Sequence, residues 1–498
     1  MKIKLPDSSK NFITFSGVIL AVISVCIFWA LYLLAGSGLI QVGSYFGLVL
    51  YVVLPVPFGI GLVLIPLGMY LNRKAVREKI GERRLPVIDL NNERHRHAAM
   101  IFSIGTIFVG FFVFFVSYQG FHYTESTEFC GKLCHSVMKP EYITYSNSPH
   151  AKVPCVHCHV GAGADWYARS KLSGLYQVYA TILDKYPRPI ETPIKNLRPA
   201  RETCEECHWP GRLFPARERR FNHYLSDEEN RLWTIKMIVE IGGSTSDIDS
   251  HPGSHWHIHE DVKVEYIATD EKRFEIPWVR LTYLTTGEEI VFQSEDSPIE
   301  PEKLPDYEIR TMDCIDCHTR PSHSYKSPKK AINEYMFSKR ISTELPEIKM
   351  IGVEYLNGEY TAQDSGAAEI RKKTVDYYSE NYPDLAVEMS SEIREAADAL
   401  AEIYLNNYFP SMKSSWAEYP DHIGHLNFPG CFRCHNGNHV TSDNRVITHE
   451  CNSCHIIVSQ GDEIAEFRET GLEFRHPIDI GEAWKEMPCT DCHSPDNQ

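Results

Sequence analysis

Cysteine is scarce outside one repeated pattern in this sequence of 498 residues. Of the 15 cysteines, 14 stand in seven close pairs, and only Cys26 has no partner nearby in the chain. The stretches at about 209–313 and 331–410 contain no cysteine. Pairs separated by two or three residues close only very small loops, so this spacing argues against a disulfide framework. Cys26 lies in an apolar run, and we interpret it as a small buried hydrophobic residue.

A histidine directly follows the second cysteine of every pair. The seven units are Cys130/Cys134/His135, Cys155/Cys158/His159, Cys204/Cys207/His208, Cys314/Cys317/His318, Cys431/Cys434/His435, Cys451/Cys454/His455 and Cys489/Cys492/His493. Six of them are strict C-x-x-C-H motifs, and the first has one extra residue between its cysteines. In c-type haem attachment two thiols bond to the haem vinyl groups, and the adjacent histidine lies under the iron as an axial ligand. The motifs therefore predict seven covalently bound c-type haems.

Zinc is the main alternative ligand, because C-x-x-C half-sites also bind it. Zinc does not require a histidine after every second cysteine, and random placement of these residue types would give only about 0.02 matches in the chain. Haem is therefore favoured over zinc or an iron–sulfur cluster.

Three apolar runs, about 12–36, 44–71 and 98–118, contain no histidine. Each is long enough to cross a bilayer as a helix, which takes about 20 residues. The first run is too long for a signal peptide and has no convincing cleavage site, so it is predicted to remain as an anchor. Without histidine, these runs cannot supply the usual paired ligands of a membrane-embedded b-type haem. All haem is therefore predicted to lie outside the bilayer.

Charge is divided unevenly along the chain. Residues 1–118 contain 11 Lys and Arg against 5 Asp and Glu, a net charge of +6, whereas the remainder has a net charge of −22. Eight of the basic residues lie between the second and third apolar runs, and the loop at 36–43 is uncharged. The positive-inside rule then places the amino terminus in the cytoplasm and everything after Ser117 on the outer face of a bacterial inner membrane, in the periplasm. No nucleic-acid partner is expected.

The pattern of elements predicts a mainly α multihaem cytochrome c, with three transmembrane helices and a haem-packed periplasmic domain that has a small β insertion. Alternating residues at 262–266, 278–284 and 290–292 predict strands, whereas 165–185 and 385–409 have helical periodicity. We predict a transmembrane anchor at 1–118, a tetrahaem domain at 119–330 with the β insertion at about 209–313, and a helical extension with a C-terminal trihaem module at 331–498.

Four stretches between residues 130 and 323 resemble the NapC/NirT family of membrane-anchored quinol dehydrogenases. They are CGKLCHSVMKPEY, NSPHAKVPCVHCHVG, RETCEECH and CIDCHTRPSH. The resemblance covers roughly 120–330 and implies a tetrahaem domain that passes electrons from the quinone pool to periplasmic partners. The whole layout is similar to inner-membrane heptahaem cytochromes of metal-respiring bacteria. The resemblance therefore implies a role in anaerobic, extracellular metal respiration.

The resemblance implies that His150 and His323 are distal ligands that reach across to other haems. For the third haem the candidates are His255, His257 and His259, which would share one face of a strand, and His257 is favoured. The separations of other histidines from the last motifs suggest three more distal ligands, His425, His439 and His476, with His422 and His449 in reserve. The first haem is left without a distal histidine. Met138 follows its motif one position later than in the family pattern, so either His135 or Met138 ligates that iron.

The first haem is expected at the bilayer surface, where menaquinol can reach its edge. Quinol oxidation releases two protons and two electrons, so the site needs a proton acceptor and a polar anchor. The resemblance implies that Lys171 and Asp165 serve these roles, with Glu128 as an alternative to Asp165. The acidic outer part is expected to attract small basic periplasmic c-type cytochromes.

Two other functional classes remain open. A terminal reductase of a small nitrogen compound would use one haem as its catalytic centre, but no C-x-x-C-K motif supplies a lysine ligand. The chain could also be an electron-transfer subunit of a larger respiratory complex.

Overall fold

The computed structural model describes residues 9–40, 46–80, 89–133, 135–161, 163–192, 199–209, 216–242, 253–465 and 471–495. The chain divides into two compact units. The first comprises Met1–Met138 with Pro154–Val156, and the second comprises Lys139–Val153 with His157–Gln498. The domain boundaries at 118 and 330 stay predictions.

The first unit is built from apolar helices. Its helices are α1 (Phe12–Gly36), α2 (Phe46–Leu48), which continues into a π-helical turn at Val49–Val53, α3 (Pro55–Ile80), α4 (Glu93–Thr124) and α5 (Thr127–Lys132). Segments Phe12–Gly36, Phe46–Asn72 and His95–Thr124 are long and apolar enough to cross a membrane. This confirms the three predicted membrane helices. Cys26 is exposed on α1, so the interpretation of this residue as buried is wrong.

Glycine allows α1 and α3 to approach closely. A Cβ atom added at Gly17 would lie 2.8 Å from the carbonyl oxygen of Gly61, and one added at Gly61 would lie 2.8 Å from that of Gly17. Small residues at such crossings are typical of helices that pack within a bilayer. Phe28 and Phe58 then meet Phe112 of α4, with ring centroids 5.3 and 4.8 Å apart.

The remaining helices are mostly short. They are α6 (His135–Ser146), α7 (Cys155–His159), α8 (Ala164–Ile182), α9 (Ala200–Cys204), α10 (Cys314–Cys317), α11 (Pro328–Phe337), α12 (Ile348–Leu356), α13 (Gln363–Asn381), α14 (Pro383–Glu388), α15 (Ser390–Asn407), α16 (Ala483–Glu486) and α17 (Thr490–His493). The predicted helix at 165–185 is confirmed as α8. The helix predicted at 385–409 is present but is divided at Met389 into α14 and α15.

Two antiparallel sheets lie in the second unit. The first has the order β1-β2-β8-β9, built from β1 (Ala216–Tyr224), β2 (Leu232–Glu240), β8 (His455–Gln460) and β9 (Glu463–Ile464). The second has the order β6-β3-β4-β5-β7, built from β3 (Val262–Ile267), β4 (Trp278–Tyr283), β5 (Glu289–Ser294), β6 (Arg310–Thr311) and β7 (His439–Val440). The strands predicted in the β insertion are confirmed. Strands from the carboxyl-terminal segment complete both sheets.

The helices between residues 328 and 407 enclose a conventional apolar core. Leu400 of α15 is fully buried, and a Cβ atom added at Gly352 of α12 would lie 2.9 Å from its side chain. Ile332, Leu345 and Ile351 are buried in the same cluster. This part of the chain therefore has an apolar core built from packed side chains.

Replacing Leu400 with alanine should lower the free energy of unfolding of this helical core by about 2–5 kcal/mol, because a buried cavity is created. The matched control is Val387→Ala on α14, where the side chain is 82% exposed and the expected change is within about 0.5 kcal/mol. Guanidinium denaturation followed by far-ultraviolet circular dichroism measures both. Equal shifts of the two midpoints would show that Leu400 is not a core residue.

Candidate haem-binding sites

Each described attachment motif forms a single tight turn. The backbone N–H of the histidine donates to the carbonyl oxygen of the first cysteine in four motifs. These bonds are His208 to Cys204 at 2.7 Å, His318 to Cys314 at 2.8 Å, His435 to Cys431 at 3.0 Å and His493 to Cys489 at 2.9 Å. A turn of this kind brings cysteines three residues apart to one side, as attachment of one haem requires.

The attachment cysteines differ in their exposure to solvent. Five of them are exposed at the surface of the polypeptide: Cys158, Cys207, Cys431, Cys451 and Cys492. In each of these five motifs the other cysteine is partly buried. A thiol must be accessible to bond to a haem vinyl group, so exposure is compatible with attachment, and the role of these five cysteines stays a prediction.

Six motif histidines each face a second histidine. The pairs and their ring-centroid distances are His159–His323 at 6.2 Å, His208–His150 at 6.0 Å, His318–His255 at 6.3 Å, His435–His257 at 5.8 Å, His455–His425 at 6.3 Å and His493–His476 at 6.3 Å. Two imidazoles on opposite sides of one metal ion, each with its nitrogen about 2 Å from the metal, have centroids roughly 6.3 Å apart. The six pairs therefore fit the space of a haem iron.

Several of these rings are oriented by a hydrogen bond from Nδ1, which leaves Nε2 for a metal. The acceptors are backbone carbonyl oxygens: Thr448 for His435 at 2.7 Å, Ser254 for His257 at 2.9 Å, Glu141 for His323 at 2.9 Å and Ile478 for His476 at 2.7 Å. Such bonds fix the tautomer and the direction of a ligating ring.

Burial keeps two of the facing rings, His159 and His257, neutral. It lowers the pKa of His159 to about 4 and that of His257 to about 4. The neutral imidazole is the form that binds a metal, so both rings are ready to ligate at pH 7.

The expectation that the HWHIH stretch forms a strand is wrong. Ser254–Ile258 is a 3₁₀ helix, in which residues two apart point in different directions because a turn takes three residues. His255 consequently faces His318 of the fourth motif, and His257 faces His435 of the fifth. His257 was predicted for the third haem, whereas the structure sets His150 opposite the histidine of that motif. His259 is buried beside Asp261.

None of the motif histidines whose side chains the structure describes pairs with His439. Its Nε2 lies 2.6 Å from the carbonyl oxygen of Ile276, and its Nδ1 lies 3.0 Å from Oδ1 of Asn436. Both ring nitrogens are thus engaged by the protein, so the structure does not support the prediction that His439 is a distal ligand. His422 likewise contacts the backbone, with Nε2 3.1 Å from the carbonyl oxygen of Lys272.

Neighbouring motifs lie close together. The thiol of Cys130 in the first motif forms a hydrogen bond with the thiol of Cys155 in the second. This bond is the largest cause that lowers the pKa of Cys155 to about 7. A similar thiol–thiol hydrogen bond lowers the pKa of Cys204 in the third motif beside Cys314 in the fourth. The attachment sites are therefore arranged as neighbours rather than scattered.

The first motif is described only in part. Cys134 and the side chain of His135 lie outside the described residues, and Met138 is half-buried three positions further along α6. The choice between His135 and Met138 as ligand stays a prediction.

A cavity of 660 Å³ lies beside His476, the histidine that faces His493 of the seventh motif. Its lining includes Trp233, Phe474 and Trp484. Its size is within the range of cofactor sites, roughly 300–1,000 Å³. Charged residues, among them Glu463, Arg475 and Lys485, line the rest of this cavity.

The two predicted quinol residues lie on α8. Asp165 is exposed in the first turn, and Lys171 is half-buried with Nζ 4.9 Å from the centre of the Tyr167 ring. Six positions separate them, about 9 Å along the helix axis. Leu172 and Leu175 are each 68% exposed on the same helix.

Comparison with known proteins identifies the family. Residues 92–191 match the N-terminal region of the NapC/NirT cytochrome c family. The chain is 40% identical over 488 residues to the cytochrome c-type protein ImcH of Geobacter sulfurreducens, a match that covers 97% of this chain and 95% of that protein. No solved structure matches the chain.

A cytochrome c carries covalently bound haem, and three helices of this chain can span a membrane. It is therefore a membrane-bound multihaem cytochrome of electron transfer. The chain belongs to the NapC/NirT cytochrome c family, together with ImcH.

Proposed function

We propose that the protein is a heptahaem quinol dehydrogenase of the bacterial inner membrane. It oxidises menaquinol at the outer face and passes electrons to small basic periplasmic cytochromes in anaerobic, extracellular metal respiration. The observation that carries this proposal is the series of six histidine pairs, each with the separation of two ligands on one iron.

From these pairs we infer both axial ligands of six haems. Numbered by motif, the ligands are His159 and His323 for the second haem, His208 and His150 for the third, His318 and His255 for the fourth, His435 and His257 for the fifth, His455 and His425 for the sixth, and His493 and His476 for the seventh. An iron held by two histidines keeps the same ligands in both oxidation states, which suits electron transfer.

Short chain segments link successive sites in the first half of the series. His150, a ligand of the third haem, precedes Cys155 of the second motif by five residues. His323, a ligand of the second haem, follows His318 of the fourth motif by five residues. Five residues reach at most about 18 Å, so these haems are held within short range of one another.

Short chain segments and close contacts also link the fourth haem site to the seventh. His255 and His257 tie the fourth haem to the fifth. His425, a ligand of the sixth haem, precedes Cys431 of the fifth motif by six residues, and its Nδ1 lies 4.0 Å from Sγ of Cys489 in the seventh. A continuous path from the second haem to the seventh follows.

At the quinol end, Lys171 would hold a quinol oxygen and Asp165 would accept a proton. Each haem takes up one electron at a time, so the protein must bind the quinol while two electrons leave in succession. Exposed Leu172, Leu175 and Tyr176 on the same helix offer an apolar surface to a substrate that arrives from the lipid phase.

At the exit, the net charge of −22 on residues 119–498 favours a basic partner. Association with a basic cytochrome should slow by about 10-fold or more as ionic strength rises, because salt screens the attraction. Stopped-flow mixing at increasing salt measures the rate, with an uncharged electron acceptor as the control. A rate that does not depend on salt would contradict the proposed type of partner.

The proposal is tested on the full-length protein in detergent. Seven haems per chain are expected from the alkaline pyridine spectrum, together with reduction of the haems by a menaquinol analogue. Fewer haems, or reduction by dithionite but not by the quinol, would overturn it.

A further inference from the structure

The fourth attachment motif contains a buried aspartate, Asp316, which is 1% exposed. Its Oδ1 accepts hydrogen bonds from the hydroxyl of Tyr266 at 2.8 Å, from Arg273 at 2.6 Å and from Arg310 at 2.7 Å. Its Oδ2 accepts from the backbone N–H of Asp313 at 2.7 Å. The carboxylate is thus fully satisfied, and it draws two guanidinium groups to the fourth motif.

The fifth motif contains an arginine at the equivalent position, Arg433, which is 8% exposed. Its Nε donates to the carbonyl oxygen of Gly430 at 2.8 Å. Its two terminal nitrogens donate to the carbonyl oxygens of Arg273 at 3.1 Å and Asp316 at 3.0 Å. Arg433 therefore joins the fifth motif directly to the fourth.

Asp316, Arg273, Arg310 and Arg433 together form what we call the junction network. It contains one carboxylate and three guanidinium groups, a net charge of +2. Among the residues that the structure describes, Arg273 and Arg310 form ion pairs only with Asp316, and Arg433 forms none. Buried charges act over longer distances than exposed ones, because water screens them less.

The histidines that face the fourth and fifth motifs also come from one short segment of the chain. His255 and His257 are separated by one residue in a 3₁₀ turn, and they face the fourth and fifth motif histidines.

We propose that the junction network holds the fourth and fifth haem sites in a fixed relative position and favours the reduced state of both. The inference rests on the proposed function, because it requires haem at both motifs. A haem loses one unit of positive charge when it accepts an electron, so a fixed positive charge nearby stabilises the reduced form. The two sites would then collect electrons midway along the series, where the tetrahaem domain meets the trihaem module.

The test is a spectroelectrochemical titration of the purified full-length protein with small redox mediators. Arg433→Met removes one buried positive charge and should lower the ratio of reduced to oxidised haem at one or two sites by about 10-fold at a given applied potential. Asp316→Asn removes the negative charge and should raise this ratio by about the same factor. Arg445→Met is the matched control, because this arginine is 54% exposed and its charge is screened.

Opposite shifts in the two variants support the inference, because loss of packing alone would change both in the same direction. Shifts of the same sign, or none in either variant, would overturn it. If Arg433→Met loses a haem, the Asp316→Asn variant decides alone: a higher ratio of reduced to oxidised haem supports the inference, and an unchanged ratio overturns it. Arg433→Lys keeps the positive charge and should keep the wild-type ratio. The titration uses no quinol, so a wild-type protein with seven haems that menaquinol cannot reduce would contradict the proposed function and leave this inference intact.

Discussion

Replacing Asp165 with asparagine should slow the reduction of the haems by a menaquinol analogue by about 100-fold or more, because a positioned proton acceptor contributes about 10²–10⁴-fold to such a step. Lys171→Ala should slow it by about 10–100-fold, since a hydrogen bond from a charged donor contributes about 1.5–3 kcal/mol. Stopped-flow spectroscopy of the haem bands measures both rates. In each variant, reduction by dithionite and the content of seven haems should be unchanged.

Two residues just after the carboxyl end of α8 provide matched control variants. Asp184→Asn removes a carboxylate 19 positions after Asp165, and Lys185→Ala removes an ammonium group 14 positions after Lys171. Asp184 pairs with Arg188, and Lys185 contacts Tyr179. In both control variants the menaquinol analogue should reduce the haems at the wild-type rate. Slow reduction in the controls as well would indicate a general electrostatic effect, and normal rates in Asp165→Asn and Lys171→Ala would place the quinol site elsewhere, with Glu128 as the next residue to replace.

Local patterns in the sequence predicted most of the elements correctly. The helix α8 and the strands β3, β4 and β5 follow from periodicity over five to twenty residues, because their stability depends on one buried face. The attachment cysteines and motif histidines are equally local, since thiols and ligand come from one turn. Their roles as attachment points and axial ligands stay predictions.

The histidines that face the motif histidines are a different problem, because four of the six come from more than 50 positions away in the chain. His257 and His435 are separated by 178 positions in sequence, and no spacing rule joins them. The alternation of His255 and His257 suggested a strand, whereas the chain forms a 3₁₀ turn whose two histidines face His318 and His435.

Pairing between strands that are far apart in sequence could not be predicted from local patterns either. Ile238 of β2 pairs with Ile456 of β8, and Ser294 of β5 pairs with His439 of β7. These contacts join the β insertion to the carboxyl-terminal segment. The second pairing places His439 at the edge of a sheet, where its ring binds the backbone oxygen of Ile276, and the separation of His439 from His435 in sequence gives no sign of this.

His255 and His439 therefore provide a decisive comparison. His255→Ala should convert one haem per chain from low spin to high spin, because the iron at the fourth motif loses its second histidine. His439→Ala should leave every haem low spin and instead lower the free energy of unfolding by about 1–3 kcal/mol, since the buried carbonyl oxygen of Ile276 loses its donor. Electron paramagnetic resonance quantifies the high-spin signal, and thermal denaturation measures the stability.

The two variants separate the ligand set of the structure from that predicted by spacing. A new high-spin signal in His439→Ala, with none in His255→Ala, would restore His439 as a ligand and remove His255. Because both residues are histidines of the second unit and both are replaced by alanine, general loss of a buried imidazole affects the two variants alike. Only a bond to iron changes the spin state, so the variant that gains the signal identifies the ligand.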